Sequence, residues 1–254
     1  MNVIWLSANK LGYELLKEAV KIKEVNIMGI VTLDKDASTV MYDAVPEKVW
    51  SQFGIPIHKI KRLNEEKELI TKLSPDLIIM CGWRQIVDKE IINLPKEGFI
   101  GFHPTLLPIG RGPAPIINTL LNEFKESGLT MFYVTEGLDN GDIIGQEKFV
   151  IYEEDHAQEV YNKVILAGRK LIQKYLPLLI KGKAQRNLQD ESKATFFEKL
   201  SLKDNEIDLN KESLEIIYKK IRAFSKPYKG AYIKRNGKKL IIWSAELIET
   251  DGAK

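Results

Sequence analysis

The chain is poor in the groups that usually announce a metal or redox centre: its 254 residues include one cysteine and three histidines. A single cysteine, Cys81, excludes an intramolecular disulfide and a cysteine-rich zinc site. It lies in the apolar run LIIMCGW and reads as a buried core thiol rather than a nucleophile. No apolar run approaches the ~18–20 residues of a membrane span, and the start MNVIWLSANKLGYELL lacks a basic segment followed by a long apolar stretch. A cytoplasmic protein with no membrane contact is expected. The first strand-to-helix loop, SANKLG, has no G-x-G-x-x-G, which disfavours a dinucleotide site. Internal repeats and low-complexity tracts are missing as well. The net charge of +3 is too small to imply nucleic-acid binding. Its distribution is uneven, with nine Lys or Arg and no acid over residues 219–239. That stretch is either a solvated helix end and hairpin or an anion-binding face.

What is present is an alternation. Short apolar runs at 2–6, 27–33, 77–80 and 98–103 have the length and β-branched content of strands buried on both faces. Helical spacing of apolar residues appears between them at 11–23, 44–54 and 65–73. The order predicts an α/β domain, a Rossmann-like, mainly parallel sheet with helices on both faces. From Leu129 two strands flank a turn-rich loop at 135–142, and a long helix fills 155–182, which Pro177 is expected to bend or end. The polar stretch 185–206 reads as a linker. A small C-terminal α+β annex follows, with a helix at 211–225 and a hairpin at 231–243 turning on Asn236-Gly237.

Ligands of such sheets bind outside the carboxyl ends of the strands, and His103 stands at one. Behind it, GFHPTLLPIGRGPAPI crowds Pro104, Pro108, Pro113 and Pro115 into a stiff loop that also holds Arg111. A second cluster, EGLDNGDI, sets Asp139 and Asp142 around Gly141; turn chemistry alone accounts for it, but a carboxylate near His103 would orient the imidazole for acid–base work. A third, CGWRQIV, follows the strand at 77–80, where backbone groups of Gln85 and Ile86 beside Arg84 could hold a flat heteroaromatic ring.

These residues together, FHPTLLPIGRGPAPI, then ESGLTMFYVTEGLDNGDIIGQ, with 36 residues from His103 to Asp139, resemble the 10-formyltetrahydrofolate-dependent formyltransferases. IRAFSKPYKGAYIKRNGKKLIIW resembles the start of the C-terminal domain of the methionyl-tRNA and sugar members. The resemblance covers nearly the whole chain, least distinctively over 34–60. It implies N10-formyltetrahydrofolate as co-substrate and no metal. It also implies His103 and Asp139 as catalytic residues, Arg84, Gln85 and Ile86 beside the pterin, and Thr135, Glu136, Gly137 and Leu138 as the loop whose backbone contacts the folate. The divisions become a catalytic domain at 1–184, a linker at 185–206 and a truncated C-terminal subdomain at 207–254. One departure is plain: the family's asparagine two places before the histidine, an oxyanion donor, is Gly101 here. Its loss can cost about 10²–10³ in rate. Gln85, the hydroxyl of Thr105, or a water in the vacated space are the expected substitutes.

Among subfamilies, the glycinamide ribonucleotide enzymes carry a glycine-rich loop after the first strand and Pro-Gly where this chain has Arg111-Gly112. Formyltetrahydrofolate hydrolases prefix a regulatory domain, whereas the first strand here begins at Asn2. The annex is short for a methionyl-tRNA enzyme, and the basic face modest for tRNA. The resemblance therefore implies a nucleotide-linked aminodeoxysugar as acceptor, in surface glycan synthesis of the pseudaminic-acid type. Met41, Tyr42, Asp43, Thr105, Arg111, Lys226 and Tyr228 are the expected acceptor contacts. The alternatives are methionyl-tRNA formylation and a folate-binding homologue without turnover. A homodimer, with the annex completed by the partner subunit, is also compatible with the sequence.

Overall fold

Apolar side chains alternate along the first strand, β1 (Asn2–Leu6): Val3 and Trp5 face one side of the sheet, Ile4 and Leu6 the other, and all four are buried. Both faces are covered, which is why the run reads as continuously apolar. The computed structural model describes residues 1–39, 41–201 and 203–249, so Val40, Leu202 of the expected linker and the last five residues of the expected annex lie outside it. After β1 come β2 (Asn26–Leu33), β3 (Ile57–Ile60), β4 (Leu77–Met80), β5 (Gly98–His103), β6 (Glu126–Tyr133) and β7 (Ile143–Val150). Their order in the sheet is β3-β2-β1-β4-β5-β6-β7. The first five are parallel, β6 runs antiparallel to β5, and β7 runs antiparallel to β6. The expected α/β class, with a mainly parallel sheet, is what forms. The half-buried edge strand β3, IHKI, was not foreseen, because His58 and Lys59 interrupt its apolar pattern.

Helices cover both faces. α1 (Lys10–Ala19), α2 (Glu47–Trp50), α5 (Pro115–Leu121) and α6 (Ala157–Ile180) pack with Val3 and Trp5, while α3 (Lys67–Leu73) and α4 (Lys89–Ile92) pack with Ile4 and Leu6. α1 starts where the Asn9 side chain accepts the Gly12 amide at 3.0 Å, and it buries Leu11, Leu15 and Leu16 at helical spacing. Truncating Leu15 or Leu16 to alanine would cost about 2–5 kcal/mol. Pro177 does not end α6, which continues to Ile180. Burial of Leu171, Ile172, Leu176 and Leu179 along one face outweighs a proline penalty of about 3 kcal/mol. Among the described residues no helix is long and apolar enough to cross a membrane.

The C-terminal part holds α7 (Leu214–Phe224) and the antiparallel pair β8 (Ala231–Arg235) and β9 (Lys238–Ile242). Asn236 and Gly237 turn the hairpin at φ 50° and 73°, the left-handed pair that the dipeptide favours. Ile207, Ile217, Ile221 and Ala231 form its small core, and the α+β annex stands as expected. The polar stretch before it lies against the main domain: Asn187 exchanges backbone hydrogen bonds with Ile143, and the Phe197 amide donates to Arg111.

Candidate active site

Strand register decides what surrounds His103, which pairs with Thr130 across β5–β6, while Gly101 pairs with Phe132. Alternation places Gly101 and His103 on the face that Phe99 shares with α3 and α4. The imidazole is buried, and its Nε2 lies 2.7 Å from the Gly110 carbonyl oxygen. A carbonyl only accepts, so Nε2 carries hydrogen and Nδ1 holds the lone pair of the neutral ring. Nδ1 faces Asp139 Oδ2 at 3.5 Å. Asp139 comes from residues 134–142, a loop that leaves β6 opposite Ile100, at the far end of β5, and folds back over the sheet face. It stands at φ 49°, a left-handed conformation that aspartate adopts more readily than most residues. Its Oδ2 also accepts the Gly112 amide at 2.9 Å.

The proline-rich loop is held from outside as well as by its prolines. The Thr130 hydroxyl accepts the Leu107 amide and donates to the Thr105 carbonyl, and Gln146 donates to both the Leu107 carbonyl and Thr130. A strap at 189–197 crosses it: Thr195 accepts the Gly110 amide at 2.8 Å through its hydroxyl and the Arg111 amide at 2.9 Å through its carbonyl. A β-carbon at Gly110 would come within 2.7 Å of the Phe197 ring, so only glycine, here at φ 72°, lets the strap close. Gln189, Glu191, Thr195 and Phe197 escaped sequence reasoning because a polar segment some 80 residues away along the chain carries no periodic signal of where it docks.

Several expected site residues are placed differently. Arg111 was expected to meet the acceptor, but it is buried, and its guanidinium is engaged by Gln189 at 2.8 and 3.1 Å and by Glu191 at 2.6 and 2.8 Å. The hydrogen bond from Arg111 holds the Glu191 carboxyl below its usual range. Thr105 is buried too, its hydroxyl 3.4 Å from the same Gly110 carbonyl that His103 uses. The Gln85 amide is taken at both ends, accepting the Leu63 amide and donating to Thr39 and the Lys61 carbonyl. No vacated space exists at Gly101 for a water: a β-carbon there would lie 2.9 Å from Val134 and 3.0 Å from Phe132. The three expected substitutes for the oxyanion donor are thus engaged elsewhere or excluded.

Of the two segments expected at the folate, 135–138 is tied by the Lys89–Glu136 ion pair at 2.6 Å to the start of α4, three residues past Ile86. Ile86 and Leu138 both expose apolar side chains, 88% and 56% accessible. Thr135 donates to Asn140 at 2.6 Å, and a β-carbon at Gly137 would strike the same Asn140 side chain. A cavity of about 280 Å³ opens between Thr39, Leu63, Asn64, Gln85 and Ile86. A second, of about 500 Å³, lies apart from His103 between β7 and the end of α6.

Beside Arg84 an aromatic pair forms between the 41–45 segment and the turn before β8: Tyr42 and Tyr228 meet edge to face at 5.7 Å. The Arg84 guanidinium lies 4.6 Å from the Tyr42 ring centre, and the Lys229 ammonium 5.6 Å. Burial pushes the Tyr228 phenol up, with Arg84 opposing and Asp43 adding to the rise. Asp43 accepts from the Tyr161 hydroxyl, which in turn accepts the Leu11 amide, tying the 41–45 segment to the start of α1. Burial, then Asp43, raises the Tyr161 phenol. Met41 is half-buried beside them. Lys226 turns away and lies over Trp243 at 5.7 Å.

Known proteins resemble the chain in sequence and in fold. Methionyl-tRNA formyltransferase of Halalkalibacterium halodurans is 38% identical over 198 residues, 77% of this chain and 62% of that protein. The bifunctional polymyxin resistance protein ArnA of Wigglesworthia glossinidia brevipalpis is 31% identical over 249 residues, 97% of this chain and 38% of that one. The chain therefore spans less than two thirds of the length of these relatives. In fold it is similar to a sugar N-formyltransferase from Shewanella sp FDAARGOS_354, with a TM-score of 0.77 at 24% identity over 98% of this chain and 99% of that one. It is also similar to an N-formyltransferase from Helicobacter canadensis in complex with folinic acid and dTDP-3-aminofucose, with a TM-score of 0.70 at 22% identity over 94% and 86% of the two chains. Residues 2–176 match the family model for formyl transferase and residues 199–254 the model for its C-terminal domain, and with more than half its length so matched the chain belongs to the formyl transferase family.

Proposed function

We propose that the protein transfers the formyl group of N10-formyltetrahydrofolate to the amino group of a nucleotide-linked aminodeoxysugar. The observation that carries the chemistry is the orientation of His103: Nε2 donates to Gly110, which leaves the lone pair of Nδ1 beside Asp139. The acceptor amine attacks the formyl carbon, the carbonyl electrons move onto oxygen, and collapse breaks the bond to N10. Nδ1 takes the proton released by the amine and returns one to N10 as it leaves, so the ring is restored at each turnover. Asp139 stabilises the ring while it holds two protons. Folate binding is assigned to Arg84, Gln85, Ile86 and residues 135–138, with the exposed Ile86 and Leu138 as apolar walls.

The Tyr42–Tyr228 pair supports the acceptor class. Two rings with Lys229 beside them offer stacking for a base and charge for a diphosphate. The Helicobacter canadensis protein, similar in fold, has a dTDP-aminosugar in its complex. A second reading, formylation of methionyl-tRNA, is favoured by the 38% identity to an enzyme of that name. A screen with N10-formyltetrahydrofolate against aminosugar nucleotides and charged initiator tRNA decides between them. Turnover with tRNA alone overturns the first reading, and tight folate binding without turnover on any amine overturns both.

A further inference from the structure

We infer that Gln189 is a positioning residue for Asp139, an inference whose geometry is independent of the proposed function and whose kinetic consequence rests on it. The Gln189 amide fills all four of its hydrogen-bonding positions. Nε2 donates at 2.8 Å to the Asp139 carbonyl and at 2.8 Å to the Gly141 carbonyl, from the two residues on either side of Asn140. Oε1 accepts from Arg111 Nε at 3.1 Å and Nη2 at 2.8 Å. Arg111 stands between Gly110, whose carbonyl holds His103 Nε2, and Gly112, whose amide holds the Asp139 carboxylate.

A closed circuit results: His103 to Gly110, along the backbone to Arg111, across Gln189 to Asp139, and back to His103. Every link but the last is a normal hydrogen bond or a covalent bond. The 3.5 Å gap between Nδ1 and Oδ2 is therefore the distance the other links set. Asp139 needs such support, since its loop holds it at φ 49° and leaves its side chain partly open to solvent. Arg111, with its charge buried, needs a fixed acceptor that carries no charge of its own into the site, because Glu191 already supplies one. A glutamine serves both demands. Glutamate would keep the Arg111 contact and set a carboxylate oxygen against two carbonyls; methionine would keep the volume and lose all four bonds.

The test uses the full-length protein and the variants Gln189→Glu, Gln189→Met and Asp139→Asn. Nitrogen chemical shifts of the His103 ring, assigned against His103→Gln, report whether Asp139 still faces Nδ1 without any substrate. Both Gln189 variants are expected to move these shifts toward the Asp139→Asn values. Turnover should fall about 10²-fold, as expected for a misplacement near 1 Å, with little change in KM for the folate. Wild-type ring shifts in a folded Gln189→Glu protein overturn the inference, as does an Asp139→Asn protein whose ring shifts equal those of wild type. Moved shifts with unaltered kcat in an active enzyme overturn it as well. If wild type formylates no amine, the proposed function fails, and the ring shifts alone decide the role of Gln189.

Discussion

Phe132 lies over Gly101 so closely that a β-carbon at position 101 would stand 3.0 Å from its ring and 2.9 Å from Val134. The family asparagine is therefore not simply missing here, because the side chains of the neighbouring strand have taken its place. Restoring it, Gly101→Asn, is expected to lower stability by about 1–3 kcal/mol through overpacking and to lower turnover rather than raise it. Adding Phe132→Ala should recover part of the stability by opening room for the amide. Thermal melts and kcat of the single and double variants check this, and a single variant of wild-type stability would show the slot to be open.

His103→Ala and Asp139→Ala are each expected to reduce turnover about 10²–10⁴-fold, the range for a lost acid–base group, while the fold persists. Folate affinity measured by titration should change little. Retained activity in either variant would remove that residue from the proposed mechanism.

Tyr42→Ala and Tyr228→Ala should raise KM for the acceptor up to about tenfold, matching an aromatic pair of 0.5–1.5 kcal/mol, and leave folate binding as it is. A Lys226→Ala control should not, since Lys226 lies over Trp243 rather than over the tyrosines. Acceptor kinetics on the three variants distinguish the two outcomes.

The Arg111–Glu191 pair predicts a pH dependence. Arg111 lowers the folded carboxyl of Glu191, so its contribution is present above the unfolded value of about 4.3 and is lost as pH falls through the lower folded one. Because Glu191 is exposed, solvent screens the pair and keeps the effect small. Melting temperatures of wild type and Glu191→Gln should differ at neutral pH and converge in acid, once the pH falls below the lowered folded value of Glu191. A gap that persists in acid would place the effect elsewhere.

Strands β1, β4 and β5 lay open in the sequence at their full lengths, because a strand covered on both faces must be apolar at every position. β3 did not, since an edge strand carries His58 and Lys59 without penalty. The helix through Pro177 was legible from its spacing at 155–182, and of the two expected effects of the proline, ending the helix does not occur because the buried face of α6 continues past it. At the site, the stiff loop behind His103 was legible from its prolines, and the positions of His103 and Asp139 from their motifs.

The sequence by itself determined the alternation of strand and helix, the stiff turn after His103 and the absence of an asparagine at position 101. These follow from period, ring constraint and identity, all local properties. Tertiary structure alone decided that Asp139 folds back along β5 to reach His103, and that Phe132 and Val134 fill the space at Gly101. It also decided that Arg111 turns inward onto Gln189 and Glu191 instead of outward to a substrate. Each of these depends on strand register and on a docking of segments up to 80 residues apart. A long-range hydrogen bond leaves no mark on the local pattern of either partner, so only the folded chain brings the two ends into view.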